Sequence, residues 1–181
     1  MKTKVAVNGY GVIGRRVCDA VALQTDMELV GVADVVTDWR MQLAVRRGFP
    51  IYAASPEAQV AMDAASLDPR GDLDALLRLV DVVVDCTPKG IDTNNRARYE
   101  STGTRAVFQG GSKHDLAGHS FVASANYATA VGRQMTRVVS CNTTATVRTL
   151  LALRQAGLLL RARGVLVRRA ADPWEVISKK S

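Results

Sequence analysis

Aromatic residues make up only 5% of this 181-residue chain, and it holds just two histidines and three cysteines. Cys18, Cys86 and Cys141 are odd in number and far apart, which argues against a disulfide framework and gives no metal-ligand spacing. They read as reduced thiols, and no metal site is expected. No apolar run approaches the roughly 18 residues that a membrane span needs. The opening MKTKVAVNGYG enters a strand pattern directly, without the apolar stretch of a signal peptide, so a cytoplasmic location and no membrane partner are expected. The shortage of aromatics also bears on the net charge of +7. Much of the excess lies beyond residue 132, for example in Arg133, Arg137, Arg148, Arg154, Arg161 and Arg163. With no aromatics interleaved, that charge suits phosphates and other small anions better than nucleic acid.

What is present is apolar material in short, ordered runs. At 48% hydrophobic, the chain suffices for one well-buried domain with a small appendage. Lys4 to Asn8 reads as a strand, Gly14 to Leu23 as a helix and Glu28 to Ala33 as a second strand. Such a unit requires a parallel pair with a right-handed crossover. Further along, Asp38 to Arg47 suits a helix, Ile51 to Ala53 a strand, Asp72 to Leu79 a helix and Val80 to Cys86 a buried strand stopped by Thr87-Pro88. Ser55 to Met62 reads as a polar, small-residue connection with no assigned element. Asn94 to Thr102 is expected to be helical, Arg105 to Gln109 a strand, and Phe121 to Ala123 and Val138 to Ser140 two short strands. Thr143 to Gln155 follows as a helix closed by Gly157. Gly164 to Arg169 alternates like a strand and stands alone. The expected fold is α/β, a Rossmann-type, mostly parallel sheet with flanking helices (1–140), followed by the cut-off start of a catalytic domain (141–181).

Two local patterns carry chemistry. NGYGVIG places Gly9, Gly11 and Gly14 as G-x-G-x-x-G directly after a strand and at the start of a helix. Gly9 permits the tight turn, Gly11 lets a pyrophosphate approach the backbone, and Gly14 lets helix and strand pack closely. The helix start, with Tyr10, Val12 and Ile13, then faces the phosphates with unpaired N–H groups. Asp34 ends the second strand, where a carboxylate accepts hydrogen bonds from ribose hydroxyls and repels a 2′-phosphate. NAD is therefore preferred over NADP, with Arg40 as a nearby group able to reverse the preference. Thr87 and Pro88 lie at the carboxyl edge of the sheet, where ligands bind in such folds. In SCNTT, Cys141 sits between a strand and a helix, where the helix dipole stabilises a thiolate.

These motifs recur in order with others: VNGYGVIGRRV (7–17), DCTPKG (85–90), VFQGGSKH (107–114), FVASANY (121–127), VVSCNTT (138–144) and VRRAADPWE (167–175). Together they resemble the archaeal-type phosphorylating glyceraldehyde-3-phosphate dehydrogenases, over essentially the whole chain. The resemblance implies that Cys141 attacks the aldehyde of glyceraldehyde 3-phosphate, that NAD or NADP accepts hydride, and that inorganic phosphate releases the thioester as 1,3-bisphosphoglycerate. It implies cofactor contacts at Gly9, Tyr10, Gly11, Val12, Ile13, Gly14, Asp34, Thr87, Pro88 and Gly110. Substrate and phosphate contacts fall to Asn142, Thr143, Arg168 and Arg169, with a homo-oligomer as the assembly of the full-length family. Asn95 and Asn126 match the family's nicotinamide-side asparagine only loosely.

Three departures stand out. The family's general-base histidine lies in a second half that this sequence does not reach, and neither His114 nor His119 is assigned its role. Ala145 replaces the usual glycine after SCNTT, and Asp34 replaces the usual lysine at the ribose-discriminating position. Two readings stay open: a dehydrogenase piece with cofactor site and nucleophile but no base, or a non-catalytic NAD-binding module or subunit completed by another chain. A semialdehyde dehydrogenase relative fits less well, because it does not account for QGG, ANY and VRRAADP together.

Overall fold

The computed structural model describes residues 1–109 and 111–167. It divides into two compact units, the first Met1–Ser140 and the second beginning at Cys141. In the first unit the elements are β1 (Thr3–Asn8), α1 (Val12–Ala22), β2 (Met27–Asp34), α2 (Trp39–Arg46), β3 (Ile51–Ala53), α3 (Pro56–Ala64) and α4 (Leu73–Leu77). They continue with β4 (Val82–Asp85), α5 (Ile91–Thr102), β5 (Arg105–Phe108), α6 (His114–Ala117), β6 (Ser120–Phe121), α7 (Ala123–Ala130) and β7 (Met135–Val138). The seven strands form one sheet in the order β3-β2-β1-β4-β5-β7-β6, and every neighbouring pair is parallel. This is the doubly wound α/β arrangement that the β-branched runs and intervening helical periods imply.

Alternation along the strands sends side chains to two cores, because successive Cβ atoms point to opposite faces. Ala6, Ala33, Val83, Ala106 and Phe108 pack with α4 and with Tyr99 of α5 on one face. Val7, Val32 and Ile51 pack on the other with Cys18 of α1, Met41 of α2 and Met62 of α3. Gly31 lets the first core close: a Cβ there would lie 2.5 Å from the Tyr52 ring and 3.0 Å from Leu76.

Several local readings need correction. Residues 55–62 are no mere connection, because α3 starts there. Ser55 Oγ accepts the Ala58 N–H at 3.2 Å and Pro56 occupies the first turn. A serine cap followed by proline is a helix-start signal that the small residues obscured. Ala123 belongs to α7 and not to a strand, and β7 runs over Met135–Val138, three residues earlier than the valine-serine run suggested. The isolated strand expected from Gly164 is not formed over residues 164–167, where Val165 and Val167 are each 91% exposed. Arg168 and Arg169 lie outside the described residues. Among the described residues no helix is long and apolar enough to cross a membrane.

The second unit opens on α8 (Cys141–Gln155). Gly157, at φ +71°, ends it: its N–H bonds Arg154 O at 3.0 Å and the Leu158 N–H reaches Leu153 O at 3.0 Å. That pair of bonds is a Schellman cap, which needs the left-handed backbone that glycine adopts without strain.

Candidate functional site

The chain winds outward from β1 in both directions, through β2 and β3 on one side and β4 and β5 on the other. The switch point therefore falls between β1 and β4, and the 9–14 loop and the 86–90 turn meet there. The three glycines of the loop have three different reasons to be glycine. Gly9, at φ +94°, lies against the neighbouring turn, and a Cβ on it would come within 2.9 Å of the Cys86 carbonyl. A Cβ on Gly14 would collide with the Gly9 carbonyl oxygen and lie 2.9 Å from its carbon. Gly11 meets nothing within 4 Å, so its face is open. It is also the N-cap of α1, and no side chain caps that helix. Such a helix start keeps its first N–H groups, those of Val12 and Ile13 included, available to an anion.

Asp34 is half-buried at the end of β2, and its carboxylate is held by the backbone on both sides. Oδ2 accepts the Tyr10 N–H at 2.6 Å and Oδ1 accepts the Val35 N–H at 2.7 Å. The glycine loop and the acidic residue are thus one connected piece. Tyr10 enters this arrangement through its N–H alone, since its side chain is fully buried in the core against Phe49. Arg40 is clamped by Asp38, with Nε 3.0 Å from both carboxylate oxygens and Nη2 2.7 Å from Oδ2. This partner holds the Asp38 carboxyl below the usual carboxylate range.

Under the 86–90 turn lies a buried polar cluster that the sequence patterns did not disclose. The fully buried Asp85 accepts four hydrogen bonds, from Thr87 N at 2.9 Å, Thr87 Oγ at 2.6 Å, Asn95 Nδ2 at 2.9 Å and Tyr99 OH at 2.7 Å. Asn8 Nδ2 donates to the same Tyr99 hydroxyl at 2.9 Å. Burial, followed by the Asp85 carboxylate, raises the Tyr99 phenol well above its ordinary range and pushes the Cys86 thiol up to about 12. The cluster joins the carboxyl ends of β1 and β4 to α5. Within it the Thr87 hydroxyl turns inward to Asp85, and Asn95 is buried beside it. Pro88 is exposed at the edge. Asn126 is engaged locally, accepting the Val122 N–H and donating to Ser120 O. Gly110 lies outside the described residues.

In the second unit Cys141 is the first residue of α8 and is exposed. Its Sγ is 4.0 Å from Asn142 Oδ1. Asn142 and Thr143 follow within the same first turn. Cys18 is fully buried, and that burial, with Cys86 nearby, raises its thiol far above the ordinary value. The three thiols therefore differ sharply in accessibility. One equivalent of iodoacetamide at pH 7.5 is expected to label the folded chain first at the exposed Cys141, with the half-buried Cys86 reacting far more slowly and Cys18 only after denaturation, as read by peptide mass spectrometry. Rapid labelling of Cys18 in the native chain would contradict the burial described.

No protein-family model matches the chain. Whole-sequence relatives do. Glyceraldehyde-3-phosphate dehydrogenase from Thermococcus kodakarensis is 50% identical over 173 residues, 96% of this chain and 51% of that protein. The enzymes of that name from Archaeoglobus fulgidus and Methanothermus fervidus are 46% and 43% identical, over 97% and 95% of this chain. The chain spans about half the length of these curated relatives. Among solved structures, an apo scyllo-inositol dehydrogenase from Lactobacillus casei superposes over 86% of this chain and 42% of its own, with a TM-score of 0.54 at 13% identity. That likeness concerns the fold alone. By sequence the chain is a relative of the archaeal glyceraldehyde-3-phosphate dehydrogenases, matched over about half of their length.

Proposed function

We propose that the chain binds a nicotinamide adenine dinucleotide on the 9–14 loop, NAD in preference to NADP, and that Cys141 is the nucleophile toward glyceraldehyde 3-phosphate. The observation that carries the reading is the open face of Gly11 at an uncapped helix start, between two glycines whose missing side chains are filled by backbone. A pyrophosphate fits that cradle through the N–H groups of the first turn of α1. Asp34, fixed by Tyr10 N, offers its remaining lone pairs to ribose hydroxyls and would repel a 2′-phosphate. Arg40, the cation able to reverse that preference, is occupied by Asp38.

When bound, the dinucleotide takes up the hydrogen and electron pair that leave the aldehyde carbon. Cys141, as thiolate, adds to that carbon to give a thiohemiacetal, whose oxidation leaves a thioester. Inorganic phosphate then attacks the thioester carbonyl, releasing the acyl phosphate and returning the thiolate. N–H groups at the start of α8 suit the developing oxyanion, and Asn142 and Thr143 stand in the same turn. Arg168 and Arg169 are proposed phosphate contacts on the resemblance alone.

The resemblance places the general base in the part of the relatives that this chain does not match. Neither histidine here is assigned its role: both ring nitrogens of His119 lie against threonine hydroxyls, at 2.6 and 3.0 Å, and His114 Nδ1 faces Ser120 at 2.9 Å. Loss of a positioned base lowers turnover by roughly a hundredfold or more. Calorimetric titration should therefore show NAD binding more tightly than NADP, while a phosphate-dependent NADH assay shows little or no turnover, none of it surviving Cys141→Ser. Tighter binding of NADP would overturn the role given to Asp34, and phosphate-dependent turnover unaffected by Cys141→Ser would overturn the nucleophile.

A further inference from the structure

The glycine loop and Asp34 provide for a pyrophosphate and a ribose, and leave the adenine without a partner. Next to them stand two side chains with no other assigned task. Arg15, on α1, directs Nε to the carbonyl oxygen of Gly11 at 3.3 Å. Its guanidinium carbon lies 4.8 Å from the centroid of the Trp39 ring. Among the described residues Arg15 forms no ion pair. Trp39 begins α2, directly after the Asp38 cap, and is 57% exposed. Val12 and Val35, adjoining the loop and Asp34, are 53% and 58% exposed. In a chain with so few aromatics, an exposed indole held against an unneutralised guanidinium, itself tied to the phosphate loop, is an unusual use of both. Purines stack on indole and guanidinium planes, and a cation over an aromatic face strengthens the assembly.

We infer that Arg15 and Trp39 form the platform on which the adenine ring stacks, so that the adenosine diphosphate portion is a ligand of this chain in its own right. The inference rests on the dinucleotide reading and adds to it the adenine-side residues and a class of ligand, adenine nucleotides without nicotinamide. Arg15 serves both parts of such a ligand: its charge faces the pyrophosphate beside Gly11 while its plane adjoins the indole. Asp34, bonded to the Tyr10 N–H of the same loop, serves the ribose.

The chain has one other tryptophan, Trp174, so a Trp174→Phe background makes Trp39 the sole indole emitter. In that full-length background, ADP is expected to change Trp39 emission saturably. By calorimetry, Trp39→Ala should weaken ADP binding about tenfold, with Trp39→Phe restoring most of it. Arg15→Ala should weaken it at least as much. Melting of the unliganded variants establishes that each is folded, as the exposure of Trp39 leads us to expect. If NAD binds the parent chain while ADP affinity is the same in Trp39→Ala, the platform is overturned and the pair is only a clasp between α1 and α2. If neither NAD nor ADP binds the parent chain, the dinucleotide reading falls and the platform with it.

Discussion

Gly14→Ala is expected to abolish dinucleotide binding and to lower the stability of the unliganded chain by about 3 kcal/mol, the upper part of the usual range for overpacking. The added methyl group collides with the Gly9 carbonyl, and the atom it meets is backbone. Gly9 cannot retreat, because it is itself backed against the 86–87 peptide and its N–H is bonded to Ala33 O at 2.8 Å. Relief therefore requires α1 to lift from the loop, which moves the helix start away from any bound phosphate. Gly11→Ala provides the contrast. Its Cβ enters open space, so the unliganded chain should lose no more than about 1 kcal/mol, the scale of an N-cap change. A pyrophosphate approaching that face would nonetheless meet the methyl group, and binding should weaken by at least about tenfold. Urea denaturation and calorimetry on the two variants separate a packing glycine from a ligand-facing one. Equal stability of Gly14→Ala and the parent would refute the packing described.

The second large effect is expected at Asp85. Asp85→Ala removes the acceptor of four buried hydrogen bonds and strands donors on Thr87, Asn95 and Tyr99. Each buried donor left unpaired costs about 1–3 kcal/mol, so a loss of roughly 4 kcal/mol is expected after partial relaxation. Tyr99→Phe removes one donor to Asp85 and the acceptor for Asn8, and should cost about 2 kcal/mol. Because both act on one network, the double variant should be less destabilised than the two single losses added together. Asp85→Ala costing under about 1 kcal/mol in urea denaturation would show that the cluster is not fully formed. The same variant should also weaken nucleotide binding, since the 86–90 turn against which Gly9 packs is held from below by this carboxylate.

The elements that the sequence disclosed best were those with a single dominant signal. Lys4 to Asn8, the glycine triplet and Val17 to Leu23 carry strand, turn and helix periods in immediate succession, and the parallel pairing of β1 with β2 follows from chain connectivity. Ile51 to Ala53 and the valine run from Val80 to Cys86, within which β4 spans Val82–Asp85, were equally clear. Signals failed where short polar and small residues dominate. Ser55-Pro56 caps a helix whose apolar face is only Ala58 and Met62, too sparse a stripe to mark a period. The ANY segment enters α7, whose Asn126 breaks the helical backbone at φ −144° and bonds Val122 and Ser120 instead. Alternation in GVLV suggested a strand, yet pairing needs a neighbour that alternation does not supply, and residues 164–167 have none among the described residues.

At the site the legible part was the backbone chemistry: which glycine must bend, which must be bare, and where a carboxylate should end β2. Side-chain partnerships were not legible, because they join residues distant in sequence. Nothing local in DCTPKG marks Asp85 as the acceptor for Tyr99, or Asn8 as the far end of the same cluster. Nor does the spacing of Arg15 and Trp39, on different helices, suggest that they touch.

The most direct test of the central claim is the melting midpoint of the chain and of Gly11→Ala, each with and without NAD. A ligand present at a hundred times its dissociation constant stabilises the native state by about 2.7 kcal/mol, which for a chain of this size raises the midpoint by roughly 5–10 °C. The parent should show such a rise, and Gly11→Ala, melting nearly as the parent does without ligand, should show much less of it. An equal rise in both would place the nucleotide away from the 9–14 loop, and no rise in either would contradict the site altogether.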